Sequence, residues 1–162
     1  MSSSKPPRRD PRRLIRTYVR TGTRSRAEAA GYLRQRGVSA AEAARVTREL
    51  QRVGALDDRA CAKLWMQRLA DEGYAWPRIR ERLREKQLSE RLIDEHVANA
   101  STHDPDESRL RALAAARLSR LPASDPRRRQ RLVRWLASRG FDPDLIEPVL
   151  AELIPDLASH VD

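Results

Sequence analysis

One pattern occurs three times along the chain and limits what it can fold into more than any other feature. The stretches Leu33-Arg-Gln-Arg-Gly37-Val38-Ser39, Leu83-Arg-Glu-Lys-Gln87-Leu88-Ser89 and Leu136-Ala-Ser-Arg-Gly140-Phe141-Asp142 follow one another at intervals of 50 and 53 residues. Each reads as the end of a helix, a residue for the left-handed C′ position, an apolar residue that closes a Schellman-type turn, and an N-cap for the next helix. The match runs outward from the turn. Ala29, Ile79 and Leu132 share one place, Ala43, Ile93 and Ile146 another, and Thr47, Val97 and Leu150 a third, in which the threonine is the poor member. A unit repeated at such a period is a tandem array of one supersecondary structure.

The punctuation around the repeat is helical throughout. Asp10-Pro11, Asp104-Pro105, Asp125-Pro126 and Asp142-Pro143 each set an N-cap acceptor before a proline at the first helical position, where the missing N–H is harmless. Ser25 with Glu28, and Ser39 with Glu42, fit the capping box. Gly22, Gly37, Gly54, Gly73 and Gly140 stand where helices should stop. No segment alternates with period two for long, so the expected fold is all-α. Nine helices are expected near 11–21, 25–36, 40–53, 58–72, 77–87, 89–100, 105–121, 126–139 and 143–153. The first helix of each triplet carries an apolar stripe: Leu14, Ile15, Tyr18 and Val19; then Cys61, Ala62, Trp65, Met66 and Leu69; then Leu110, Leu113, Ala114, Leu118 and Leu121. Three such helices close a small core, and a core of that size is marginal unless neighbouring units pack end to end. The expected organisation is a disordered basic arm (1–9), three-helix repeats over 10–54, 55–101 and 102–154, and an acidic tail (155–162), forming an elongated, curved, solenoid-like body.

Charge is distributed unevenly. The net charge is +10, and only Lys5, Lys63 and Lys86 among the 33 basic residues are lysine. Residues 1–26 hold nine basic groups against one acid, residues 105–139 sum to +7, and residues 140–162 sum to −6 with no basic group. Clustered arginine and a pI near 11 point to a polyanionic partner. Arg12, Arg16 and Arg20 share a face of the first helix. Arg78, Arg82 and Lys86 do so on the second helix of the middle repeat, and Arg127, Arg131 and Arg134, with Arg128 beside them, on the second helix of the last. Cations repeated along one body suit a periodic polyanion or a filament carrying one. A solvated face of i,i+4 pairs is the plainer reading where Glu81 and Glu85 interleave in the middle repeat. It fits 127–139 less well, which holds six arginines and no acid.

No catalytic constellation emerges. Cys61 is the single cysteine, which excludes a disulfide scaffold, and it sits on an apolar stripe as a small core residue. His96 falls at the place of Val46 and Val149 and reads as a half-buried residue, while His103 and His160 fall in a loop and the tail. Together these give no zinc-ligand spacing. Asp57 and Asp58 read as a helix cap rather than a metal pair. Tyr18, Trp65 and Trp135 fall on apolar stripes and are expected in the core. Trp76 is expected to staple the start of its helix, and Tyr74 to be the freest aromatic. There is no glycine-rich phosphate loop, no apolar run near the ~20 residues of a membrane span, and no secretory leader. The chain reads as a cytoplasmic binding protein without cofactor or metal.

The residues Gly54-Ala-Leu56-Asp57-Asp58, with Ala62, Arg68, Gly73-Tyr74, Arg78-Ile79, Leu83 and Lys86, resemble the signature of the RecX family of regulatory proteins. With the threefold repeat, the resemblance covers about residues 10–153. The chain departs from the family at Cys61, where an aromatic is usual, and at Ala75 and Gln87, where glycines are usual. These departures concern packing and turn geometry. The resemblance implies a non-enzymatic modulator of the RecA recombinase that binds the RecA–single-stranded DNA filament in its groove. It further implies restraint of the filament's ATPase, strand-exchange and co-protease activities. A monomer with weak, sequence-independent affinity for single-stranded DNA is expected. The alternative is a helix-turn-helix regulator of transcription, which three-helix units with basic second helices also permit.

Overall fold

The computed structural model describes residues 10–154; the basic arm and the acidic tail expected from the sequence lie outside the described residues. Within them the chain forms nine α-helices and no strand. The first three are α1 (Pro11–Arg20), α2 (Arg26–Gln35) and α3 (Ala40–Arg52); the next are α4 (Asp58–Asp71), α5 (Trp76–Glu85) and α6 (Glu90–His103). The last three are α7 (Asp106–Leu118), α8 (Arg128–Ser138) and α9 (Pro143–Leu153).

Local chemistry explains most of the boundaries. The Asp10 carboxylate accepts from Arg12 N at 3.0 Å, Asp57 from Arg59 and Ala60 N at 2.9 and 3.0 Å, and Asp142 from Asp144 N at 2.9 Å. Ser25 and Glu28 complete a reciprocal capping box, whereas Ser39 accepts from Glu42 N at 3.3 Å without the return bond. The repeated turn closes alike three times: the N–H groups of Val38, Leu88 and Phe141 donate to the carbonyls of Leu33, Leu83 and Leu136. Gly37, Gly54, Gly73 and Gly140 adopt positive φ, and Gln87 takes that conformation at φ 55° as the one non-glycine among the described residues.

Four expectations need correction. Asp104 closes α6 instead of opening α7, because α6 runs on to His103 and Pro105 takes the N-cap place. His103 therefore ends a helix and does not lie in a loop. Asp125-Pro126 forms a turn ahead of α8, in which the Asp125 carboxylate accepts from Arg127 N at 2.9 Å. Gly22 is not a left-handed cap, because α1 is closed by Thr21, whose N–H returns to Thr17 O.

Each helix triplet encloses its own core. Ile15, Ala29, Leu33, Ala43 and Val46 fill the first; Cys61, Ile79, Leu83, Ile93 and Val97 the second; Leu110, Leu132, Leu136, Ile146 and Leu150 the third. Thr47 is buried in the first, and its hydroxyl is satisfied by Ala43 O at 2.9 Å. Two residues cross the expected limits: Leu56 joins the first core, and Ala75 joins the third although it caps α5.

The Ala75 crossing shows how modules meet. The turn between the first two helices of one module seats on the next module, and it does so twice by the same plan. The first N–H of the second helix donates to the aspartate that opens the following module's first helix: Arg26 N to Asp58 at 2.6 Å, and Trp76 N to Asp106 at 3.0 Å. The N-cap residue donates to the carbonyl that closes the following module's second helix, through Ser25 Oγ to Lys86 O at 2.6 Å and through Ala75 N to Arg139 O at 3.0 Å. The side chain of that closing residue then reaches back. Lys86 Nζ lies 3.2 Å from Glu28 Oε1 and 4.1 Å from the Trp65 ring centroid. Arg139 donates to Glu72 O and lies over Tyr74 and Trp135 at 4.6 and 5.3 Å.

Candidate nucleic-acid interface

The ten basic residues singled out from the sequence separate into three groups. On α5 the cations are consumed internally. Arg78 pairs with Glu81 at 2.6 Å, Arg82 with Glu85 at 2.9 Å, and Lys86 leaves the stripe to join Glu28 in the inter-module junction. The Lys86 and Glu28 side chains are only 22% and 13% exposed, so Lys86 belongs to the body's architecture and not to an open basic face. Arg78 is drawn toward the other junction, where its Cβ lies beneath Gly140.

On α1, Arg12 is held to α3, its Nη2 reaching both Glu49 oxygens at 2.8 and 2.9 Å. That bond holds the exposed Glu49 carboxyl below its ordinary value, with a smaller coulombic contribution from the same guanidinium. Arg16 and Arg20 have no carboxylate partner among the described residues. They border a groove between α1 and α3 floored by Val19, Leu50 and Val53, the last 70% exposed.

On α8 the cationic face is most nearly free. Arg127, Arg131 and Arg134 are exposed and Arg128 is half-buried. Arg131 lies 3.2 Å from Asp125, and neighbouring Arg129 pairs with Glu147 at 2.6 Å, while Arg127, Arg128 and Arg134 have no such partner among the described residues. Of the ten, those without a carboxylate partner among the described residues are thus Arg16 and Arg20 on α1 and Arg127, Arg128 and Arg134 at α8. Such groups attract phosphates at any sequence, with an affinity that falls as salt rises.

The aromatic side chains do not form a base-stacking platform. Trp65 is half-buried and donates Nε1 to Thr23 O at 3.3 Å. Trp76 is 7% exposed and acts across the junction, its Nε1 donating to Asp104 O at 2.8 Å while Arg109 lies over its ring at 4.6 Å. Tyr74 is not free, because it sits half-buried beneath Arg139.

Sequence reasoning missed Arg109 and Arg139. Arg109 is 9% exposed and donates to Ala70 O and Tyr74 O at 3.1 and 2.8 Å. One signal was available for the second: Arg36, Lys86 and Arg139 all directly precede the C′ residue of the repeat. Burial raises the Asp106 pKa, against the opposing pull of the Trp76 N–H and Arg109. Burial also pushes the Cys61 thiol up to about 11, which leaves it protonated and unreactive at neutral pH. Among the described residues no three His, Cys, Asp or Glu side chains gather as a metal set would, and no helix is long and apolar enough to cross a membrane.

Known proteins share this architecture. Residues 105–150 match the family described as RecX, third three-helix domain. The regulatory protein RecX of Mycobacterium ulcerans is 32% identical over 157 residues, covering 94% of this chain and 90% of that one. Its counterpart in Mycobacterium leprae is 36% identical over 137 residues, covering 81% and 78%. The crystal structure of RecX from Lactobacillus salivarius superposes with a TM-score of 0.66 at 17% identity, covering 88% of this chain and 94% of that one, a likeness of fold.

Proposed function

The chain belongs to the RecX family of regulatory proteins, and from that premise we propose that it restrains RecA without catalysing a reaction. It binds the RecA–single-stranded DNA filament along its groove and lowers its ATPase, strand-exchange and co-protease activities. The observation that carries this reading is the α8 face, where Arg127, Arg128 and Arg134 stand without carboxylate partners among the described residues, on a body of serially linked modules. Modules in series can each make a modest contact with successive filament subunits, and later contacts gain from the proximity the first supplies. A body that fits one filament conformation better than another shifts the filament's equilibrium by that difference alone. Arg16 and Arg20 at the opposite end give a second cationic contact. Arg12, Arg78 and Arg82, already paired, contribute less, and Lys86 contributes through the junction.

The test is DNA-dependent ATP hydrolysis by purified RecA on single-stranded DNA, in the cytoplasm's ionic range. Added protein should lower the rate, and saturating protein without effect would overturn the reading. Reversing Arg127, Arg128 and Arg131 to Glu should weaken inhibition while helicity stays intact. The competing reading, a sequence-reading transcriptional regulator with α8 in the major groove, predicts preference for one duplex by about 4–10 kcal/mol over non-specific DNA. A filament binder instead has weak, salt-steep affinity for bare DNA and no preferred site.

A further inference from the structure

The first module carries the surface on which modules two and three receive their predecessors, and no described residue is seated there. The residue that closes α2 is Arg36, at the repeat position of Lys86 and Arg139. It is exposed, pairs with no carboxylate among the described residues, and its one side-chain hydrogen bond is a 3.5 Å contact to Tyr32 O. At Gly37 a Cβ would meet nothing within 4 Å, whereas at the equivalent Gly140 it would lie 2.5 Å from Arg78 Cβ of the module docked there. Tyr32 stands in the place of Trp135, and Tyr18 in that of Trp65. Their rings stack at 4.0 Å, and the Arg36 guanidinium lies 3.5 Å from the Tyr32 centroid.

We propose that this open face is a protein-docking socket for an acidic turn between two helices of another protein. The two internal junctions define the occupant. Each seated turn offers an acceptor to the closing cation, Glu28 carboxylate or Glu72 carbonyl, and a donor to the closing carbonyl, Ser25 hydroxyl or Ala75 N–H. Arg36 presents a forked donor in that position, and the forked guanidinium matches a carboxylate with two parallel bonds. The occupant is therefore a helix–turn–helix edge with an acid in the first turn of its second helix, as Glu28 is placed in α2.

A second copy of this chain is a poor fit. Its unseated turn, between α7 and α8, carries Arg120 and Arg127 and leads into Arg128. Its one acid, Asp125, already lies 3.2 Å from Arg131, and the free cations would face Arg24 and Arg36, which lie over Tyr18 and Tyr32. Like charges so juxtaposed oppose docking. Single-stranded DNA is also a poor fit, because the Tyr32 ring is already taken by Tyr18 and Arg36 and offers no free face to a base.

Resting on the reading above, the protein that carries this turn is the RecA subunit of the filament. The test compares Arg36→Glu with Arg34→Glu, an exposed neighbour on the same helix. Affinity is measured for RecA filaments and for bare single-stranded DNA, with thermal unfolding confirming that both variants stay folded. Arg36→Glu should weaken filament binding at least ~10-fold, equivalent to about 1.4 kcal/mol. Arg34→Glu should change it less than about threefold, and the two variants should lose bare-DNA affinity equally. Equal losses on filaments, or a loss for Arg36→Glu on bare DNA as large as on filaments, overturns the socket and leaves the filament reading standing. Sedimentation of the wild-type protein as a dimer that Arg36→Glu dissolves overturns it in favour of a second copy. Failure of the wild-type protein to bind filaments overturns both.

Discussion

The two junctions follow one plan with different chemistry. Between the first and second modules the closing cation is Lys86, and it is met by a carboxylate, so that junction turns on a partly buried ion pair. Between the second and third the closing cation is Arg139. It is met by a main-chain carbonyl and two aromatic rings, while Ala75 contributes apolar packing to the third core. What the repeat preserves is the location of a donor, an acceptor and a cation, not the residues that supply them. The ionic junction should be sensitive to removal of charge, and the close-packed junction to added volume.

The largest effect expected is at the close-packed junction. Gly140→Ala places a methyl 2.5 Å from Arg78 Cβ at a φ of +87°. Left-handed strain of about 1–2 kcal/mol adds to overpacking of about 1–3 kcal/mol, so a loss of about 3 kcal/mol is expected in urea unfolding. Gly37→Ala has nearly the same φ but open space, and should lose only about 1 kcal/mol. Equal losses at the two positions would show that the second and third modules are not held together at Gly140.

At the ionic junction, Glu28→Gln keeps the capping geometry and removes the charge opposite Lys86. A fully buried pair broken this way loses roughly 3–5 kcal/mol. Both side chains here are partly reached by water, so about 2 kcal/mol is expected. Adding Lys86→Met should recover part of the loss, since it removes the stranded ammonium and keeps an unbranched chain over Trp65. No recovery in the double variant would show that the pair is incidental to docking. Trp76→Phe tests the other junction's polar side. It deletes the bond to Asp104 O and should lose about 1 kcal/mol.

The helices, most of their capped starts and the three cores were legible because each depends on residues close in sequence or at fixed helical spacing. Asp10, Ser25, Asp57 and Asp142 cap as their neighbours dictate. The junctions were not legible, because their chemistry is set by partners dozens of residues away. Lys86 falls on the same helical face as Arg78 and Arg82, and nothing near it reveals that Glu28 claims it. Tyr74 sits in a turn and looked free until Arg139 covered it. The basic face of α8 was legible for the converse reason: residues 127–139 hold no acid, and among the described residues only Asp125 and Glu147 come up to neutralise it.

The smallest effect separates turn strain from docking strain. Gln87 occupies the left-handed position at φ 55° that glycine fills in the other two turns. Gln87→Gly relieves about 1–2 kcal/mol of strain in the native state, and the freer unfolded chain takes back about 0.5–1 kcal/mol. The net expectation is a gain of about 0.5 kcal/mol, opposite in sign to Gly37→Ala. Gln87 is exposed, and glycine removes atoms without adding any, so the change leaves the Lys86–Glu28 pair in place. A loss of stability instead would mean that the Gln87 side chain helps to seat the preceding module, and the ionic junction would then extend beyond the charge pair.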